Sequence, residues 1–166
     1  MTYSSQASAS SSSATSLGES RAPVIAHAGE GESVRAFGNE ILFKLTTEQS
    51  GGALVVGLAT VPAGNAVPPH VQDREDELFI IVEGAYRFWV DGAETDVEPG
   101  ALVFIPRGVP HKFQVLGEHA GRHWVFSAPG GFDRFYKECA EVFATPGKPD
   151  FARLSAINAA YGNRLI

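Results

Sequence analysis

The chain has 166 residues, 44% of them hydrophobic and 19% charged, a length that fits one domain with a sizeable core rather than two. Thirteen Lys and Arg against 19 Asp and Glu leave a net charge of -6 with the basic residues scattered singly, which argues against DNA or RNA as a partner. No apolar run approaches the ~18 residues of a membrane-spanning helix, and a lone Cys139 with no basic start or apolar leader at the N-terminus points to a reducing, cytoplasmic setting.

Residues 1–20 hold nine Ser and one charged side chain, too little apolar surface to offset the entropy of ordering, and are expected to form a flexible tail. From 21 to 128, short segments rich in Val, Ile, Leu and Phe are separated by Gly, Pro, Asn or Asp turns roughly every 8 to 12 residues, the pattern of an antiparallel sandwich or barrel. Strands are expected at Ser33 to Phe37, Glu40 to Thr46, Ala53 to Val61, Glu77 to Glu83, Tyr86 to Val90, Ala101 to Ile105, Lys112 to Leu116 and Arg122 to Ser127. About eight strands suffice to close a small barrel. Glu83-Gly84 and Asp91-Gly92 read as hairpin turns that place three strands in a meander, the third short and polar. Period-2 alternation puts Tyr86, Phe88 and Val90 on the core face and Trp89 outside, as a candidate subunit contact. Phe79, Tyr86, Phe88, Phe104 and Phe113 are expected in the core, with some of them as candidate lining of a pocket for a flat substrate.

Over 129–166 the period changes. Phe132, Phe135, Tyr136, Cys139, Val142 and Phe143 fall at helical spacing, and a second short helix is bounded by Asp150 as cap and Gly162 as stop. Both helices are expected on the outside of the barrel.

The chemically informative residues lie between Gly64 and His111. His70 and Gln72 share one strand face, Glu77 opens the next apolar strand, and His111 follows the turn-rich approach Pro106, Gly108, Pro110. Two imidazoles, a carboxylate and an amide can thus converge inside a barrel. That mixed set suits one divalent transition metal, Fe, Mn, Co, Ni, Cu or Zn, without selecting among them. Glu77 beside Leu78, Phe79 and Ile80 would be costly to bury without a partner, and a cation removes that cost. For Gln72 three roles stand open: weak ligand, hydrogen bonder to a ligand, or substrate contact. Asp73, Arg74, Glu75 and Asp76 read as a solvated turn, with Glu75 as an alternative carboxylate ligand. His27, His119 and His123 read as structural or exposed, and Cys139 as a buried inert thiol.

These residues resemble the cupins. Gly64, five residues, His70, one residue, Gln72, four residues, Glu77, six residues and Gly84 match the first cupin motif at every position except Gln72, where histidine is usual. Gly100, Pro106, Gly108 and His111 match the second motif, with Val115 in place of its final Asn. The C-terminal stretch is similar to that of single-domain quercetin 2,3-dioxygenase-like cupins. The resemblance implies an all-β double-stranded β-helix, the cupin jelly-roll barrel, with two C-terminal helices. It makes His70, Glu77 and His111 three of four metal ligands, with Gln72 at the fourth position.

Two functions follow as expectations. One is a quercetinase-like dioxygenase acting on a flavonol-like or other small enolic or phenolic substrate, with dioxygen as second substrate and Glu77 relaying the substrate's hydroxyl proton. The other is a non-oxidative isomerase or cyclase, or a small-ligand-binding cupin, with a metal site weakened by Gln72. A homodimer is expected from the family, with edge strands and Trp89 as candidate contacts.

Overall fold

A computed structural model describes residues 22–145 and 147–166, and the tail expected over residues 1–20 lies outside them. In chain order the elements are β1 (Glu32–Ala36), β2 (Asn39–Leu45), β3 (Val55–Val61), β4 (His70–Gln72), β5 (Asp76–Glu83), β6 (Ala85–Val90), β7 (Ala93–Val97), β8 (Leu102–Ile105), β9 (His111–Leu116), β10 (Gly121–Ala128), α1 (Phe132–Ala144), α2 (Phe151–Tyr161) and β11 (Asn163–Leu165). They form a six-stranded sheet ordered β1-β2-β3-β10-β5-β8 and a five-stranded sheet ordered β11-β4-β9-β6-β7, which together make the jelly roll. Strict alternation builds the walls: on β10, Gly121, His123, Val125 and Ser127 are buried while Arg122, Trp124 and Phe126 between them are not.

Asp91-Gly92 is the expected hairpin, joining β6 to β7 with Val90 opposite Ala93 and both loop residues at positive φ. Glu83-Gly84 is not a hairpin. β5 pairs with β10 and β8, whereas β6 pairs with β9 and β7, so the chain changes sheets at this corner. Gly84 adopts φ 79°, and a Cβ there would lie 2.9 Å from the Cα of Gly121, so the corner is pressed onto the start of β10.

The barrel interior is packed with Phe79, Tyr86, Phe88 and Phe113 around His123. Phe104 departs from expectation: β8 turns it outward, 54% exposed, and buries Ile105 instead. Trp89 is half-buried on β6.

Helix α1 packs on β1 and buries Phe135, Tyr136, Cys139 and Val142. Its first turn has no side-chain cap, a loss of about 1 kcal/mol, but each large apolar side chain buried is worth about 1.5–3 kcal/mol, so packing decides. The Asp133 carboxylate also ties the helix to the turn that follows β2, accepting from the Thr47 amide at 3.1 Å and from the Thr47 hydroxyl. Helix α2 starts and stops where expected: Asp150 accepts from the Arg153 amide, and Gly162 closes the helix in the left-handed conformation. The extension does not end as helix. After Gly162 the chain returns as β11 and pairs with β4.

Candidate metal centre

The chain delivers both histidines in the same way. Pro69 precedes His70 and Pro110 precedes His111. Proline fixes its own φ and confines the residue before it to extended conformations, so the carbonyl two residues before each histidine is set in one direction. His70 Nδ1 lies 2.9 Å from the Pro68 carbonyl and His111 Nδ1 lies 2.9 Å from the Val109 carbonyl. A carbonyl only accepts, so each Nδ1 carries the proton and each Nε2 is left as the donor for an ion.

His70 begins β4 and stands directly opposite His111, which begins β9, with ring centroids 4.2 Å apart. Glu77 is the first inward side chain of β5, and its Oε2 lies 3.1 Å from His111 Nε2. One donor atom from each of His70, Glu77 and His111 falls within 4.8 Å of the others, and the residues are 7%, 3% and 1% exposed. Burial, helped by the neighbouring His111, pushes the His70 imidazole below its ordinary pKa. Burial also pushes His111 down, but the hydrogen bond and charge of Glu77 and the Val109 carbonyl outweigh it, so His111 holds a proton more firmly than a free imidazole. A divalent ion would take the place of that proton.

Gln72 follows His70 on the same strand face and is buried, yet its Oε1 has no hydrogen-bond partner. An unsatisfied buried acceptor costs about 1–3 kcal/mol. A cation beside His70 would satisfy it, so the donor set fits a transition metal with three strong donors and one weak one. Below the donors, Phe79 and Phe113 follow Glu77 and His111 on the same faces, with rings 6.0 Å apart, and give the site an apolar floor.

Glu75 corrects the reading of the charge run. It is buried rather than solvated, and burial together with the charge of Glu77 raises its pKa, but it stands outside the converging donors. Its carboxyl fits beside Gly131 at the start of α1, where a Cβ would meet Oε1 at 3.0 Å. Asp73 and Asp76 pair instead with Arg164 and Arg107 on the surface.

His27 and His119 are exposed, and His123 is buried against the Tyr86 hydroxyl, 3.0 Å from its Nδ1, on the far side of Phe79 and Phe113 from the donors. Two residues near the site were not singled out by spacing. Ser127 is opposite Glu77 on β10 with its hydroxyl buried and unpartnered, and alternation along β10 is the signal that places it inward. Asn163 is opposite Gln72 on β11, and nothing local in the sequence announces it. Surface recesses of about 620 Å3, between the β1–β2 hairpin and α1, and about 460 Å3, over Trp124 and Phe126, include none of the donors.

Residues 57–126 match the cupin domain family, and the match contains all four motif residues, His70, Gln72, Glu77 and His111. An uncharacterised protein of Streptomyces coelicolor is 37% identical over 76 residues, 45% of this chain and 70% of that protein. The chain is a cupin. It is also 25% identical over 131 residues to quercetin 2,3-dioxygenase of Bacillus subtilis, covering 78% of this cupin but only 38% of that enzyme. Among solved structures, a "predicted oxalate decarboxylase" from Thermotoga maritima superposes with a TM-score of 0.59 over 64% of this cupin and 99% of that chain, at 18% identity, a likeness of fold alone. No helix among the described residues is long and apolar enough to cross a membrane.

Proposed function

We propose that this cupin is a metal-dependent dioxygenase of a small enolic or phenolic substrate, with His70, Glu77 and His111 holding one divalent transition ion and Gln72 as the fourth, weaker donor. The observation that carries the reading is the buried pair of imidazoles, each oriented by its own backbone carbonyl, converging with a buried carboxylate. Similarity to quercetin 2,3-dioxygenase supports the substrate class. The ion would supply Lewis acidity and a template for oxygen groups. Glu77, 3.1 Å from His111, is placed to accept the proton of a substrate hydroxyl, while Phe79 and Phe113 keep water from beneath it. The neutral amide of Gln72 favours a second reading with the same residues, a non-oxidative isomerase or cyclase or a ligand-binding cupin, because it weakens the donor set.

Elemental analysis of protein purified without chelator, followed by oxygen-electrode assays with a flavonol, separates these readings. Metal with dioxygen uptake supports the dioxygenase. Metal without uptake across flavonols and dihydroxyaromatics leaves the second reading, and absence of metal overturns both enzyme schemes.

For the homodimer we propose the outer face of the six-stranded sheet, not Trp89. Leu102 and Phe104 are exposed there, and cross-strand pairing sets them beside Ile80 and Leu78, with Trp124 and Phe126 next. An apolar face of this kind is complementary to itself across a two-fold axis.

A further inference from the structure

The C-terminal strand places an additional polar group opposite Gln72. Asn163 on β11 is directly opposite Gln72 on β4, and Leu165 is opposite His70. Residues directly opposite in an antiparallel pair share a face, with Cβ atoms about 4.5–5.5 Å apart. The Asn163 side chain therefore lies on the face that carries His70 and Gln72. Its Oδ1 is buried and has no hydrogen-bond partner, as is the case for Oε1 of Gln72, itself 6% exposed.

The backbone holds this arrangement firmly. The Asp73 amide donates to the Gly162 carbonyl at 2.9 Å, and the Ile166 amide donates to the Pro69 carbonyl at 3.1 Å. On the opposite face Arg164 forks onto Asp73 at 2.7 and 3.0 Å. Gly162 is needed for the return: it takes φ 74°, and Arg74 crosses so closely that a Cβ would lie 3.0 Å from its Nε. The chain thus fixes an amide oxygen beside Gln72 and provides it with no donor of its own. A leucine of similar size would avoid that cost.

We propose that Asn163 is a substrate-recognition residue, its Oδ1 accepting a hydrogen bond from a second hydroxyl of the substrate, adjacent to the oxygen held at the metal centre. This rests on the proposed function above and adds to it that the preferred substrates carry vicinal hydroxyls, as in a catechol. A group that must hydrogen-bond a substrate hydroxyl discriminates against analogues lacking it, because it is otherwise left buried and unpaired. Asn163 lies outside the segment that matches the cupin family, so the feature belongs to this chain's C-terminal extension.

The test uses full-length metal-loaded protein, with catechol and phenol as probes and calorimetric Kd as readout. The wild type should bind catechol more tightly than phenol. Asn163→Leu should weaken catechol roughly tenfold while leaving phenol and the affinity for Ni(II) unchanged. Asn163→Ser, which keeps an oxygen acceptor, should recover part of the loss. Equal effects on the two phenols, or none, would overturn the proposal. A fall in Ni(II) affinity would also overturn it, since Asn163 would then act by positioning Gln72. A wild-type protein that binds Ni(II) but neither phenol rejects the substrate class itself, a result distinct from loss of discrimination in the variant.

Discussion

The two histidines depend on a local device, a proline before each imidazole and a carbonyl two residues back that accepts from Nδ1. Gln72 has no such support and only an amide to offer. Gln72→His should therefore raise Ni(II) and Zn(II) affinity by tenfold or more, as an order of magnitude for exchanging a neutral oxygen donor for imidazole. His70→Ala should abolish metal retention through gel filtration, and metal titration of the three proteins checks both expectations. Burial dominates at His123 and, against the opposing charge of Glu77, pushes its pKa down to about 4. The unfolded chain, titrating at about 6.5, takes up the proton first, so stability is full above that value and is lost as pH falls from about 6.5 towards 4, on the order of 3 kcal/mol in all. His70 is also lowered and adds in the same direction, while His111, raised, contributes stability below about 6.5 that is lost as pH rises through its folded value. Denaturant midpoints measured from pH 4.5 to 7 should fall less steeply on acidification in His123→Gln than in the wild type.

At the scale of elements, two glycines with similar backbone angles do different work. Gly92 in the β6–β7 loop has φ 89° and open space around it, whereas Gly84 at the β5–β6 corner has φ 79° and the backbone of Gly121 at 2.9 Å from any added Cβ. Gly92→Ala should cost about 1–2 kcal/mol for the left-handed conformation alone. Gly84→Ala adds a clash that no side-chain rotation relieves, because the opposing atom is backbone, and should cost clearly more. Urea unfolding of the two variants decides this, and equal losses would mean that the corner yields without cost. Asp91-Gly92 is a free loop, while Gly84 is a contact between elements.

For the whole molecule, the outer face of the six-stranded sheet gathers the exposed Leu102 and Phe104 beside Leu78, Ile80, Trp124 and Phe126. Four strands at about 4.8 Å spacing and roughly eight residues at about 3.3 Å give a flat footprint on the order of 500 Å2. A stable interface takes about 800 Å2 from each partner, so the adjoining Val24 and Ile25, both exposed, are expected at its rim. Phe104→Glu and Leu102→Glu should each shift the protein from dimer to monomer by sedimentation or light scattering, while Trp89→Ala should not. A wild type that is monomeric at high micromolar concentration, or a dimer insensitive to both glutamates, counts against this face.

Local sequence determined much of this protein. Long alternating runs specify β2, β3, β5, β9 and β10, helical spacing and the Asp150 and Gly162 signals specify α1 and α2, and motif spacing singles out His70, Glu77 and His111, whose donor atoms the fold then brings within 4.8 Å of each other. Tertiary structure decided the remainder. Alternation states which residues share a face but not which sheet a strand joins or which face is covered, so the change of sheet at Gly84, the outward Phe104 and the buried Glu75 were not legible. Least legible was Asn163, brought beside Gln72 by pairing between segments some 90 residues apart in the chain. Such a pairing is selected only once the barrel and its helices exist, because the closure entropy of so long a loop is offset by contacts that no short window of sequence contains.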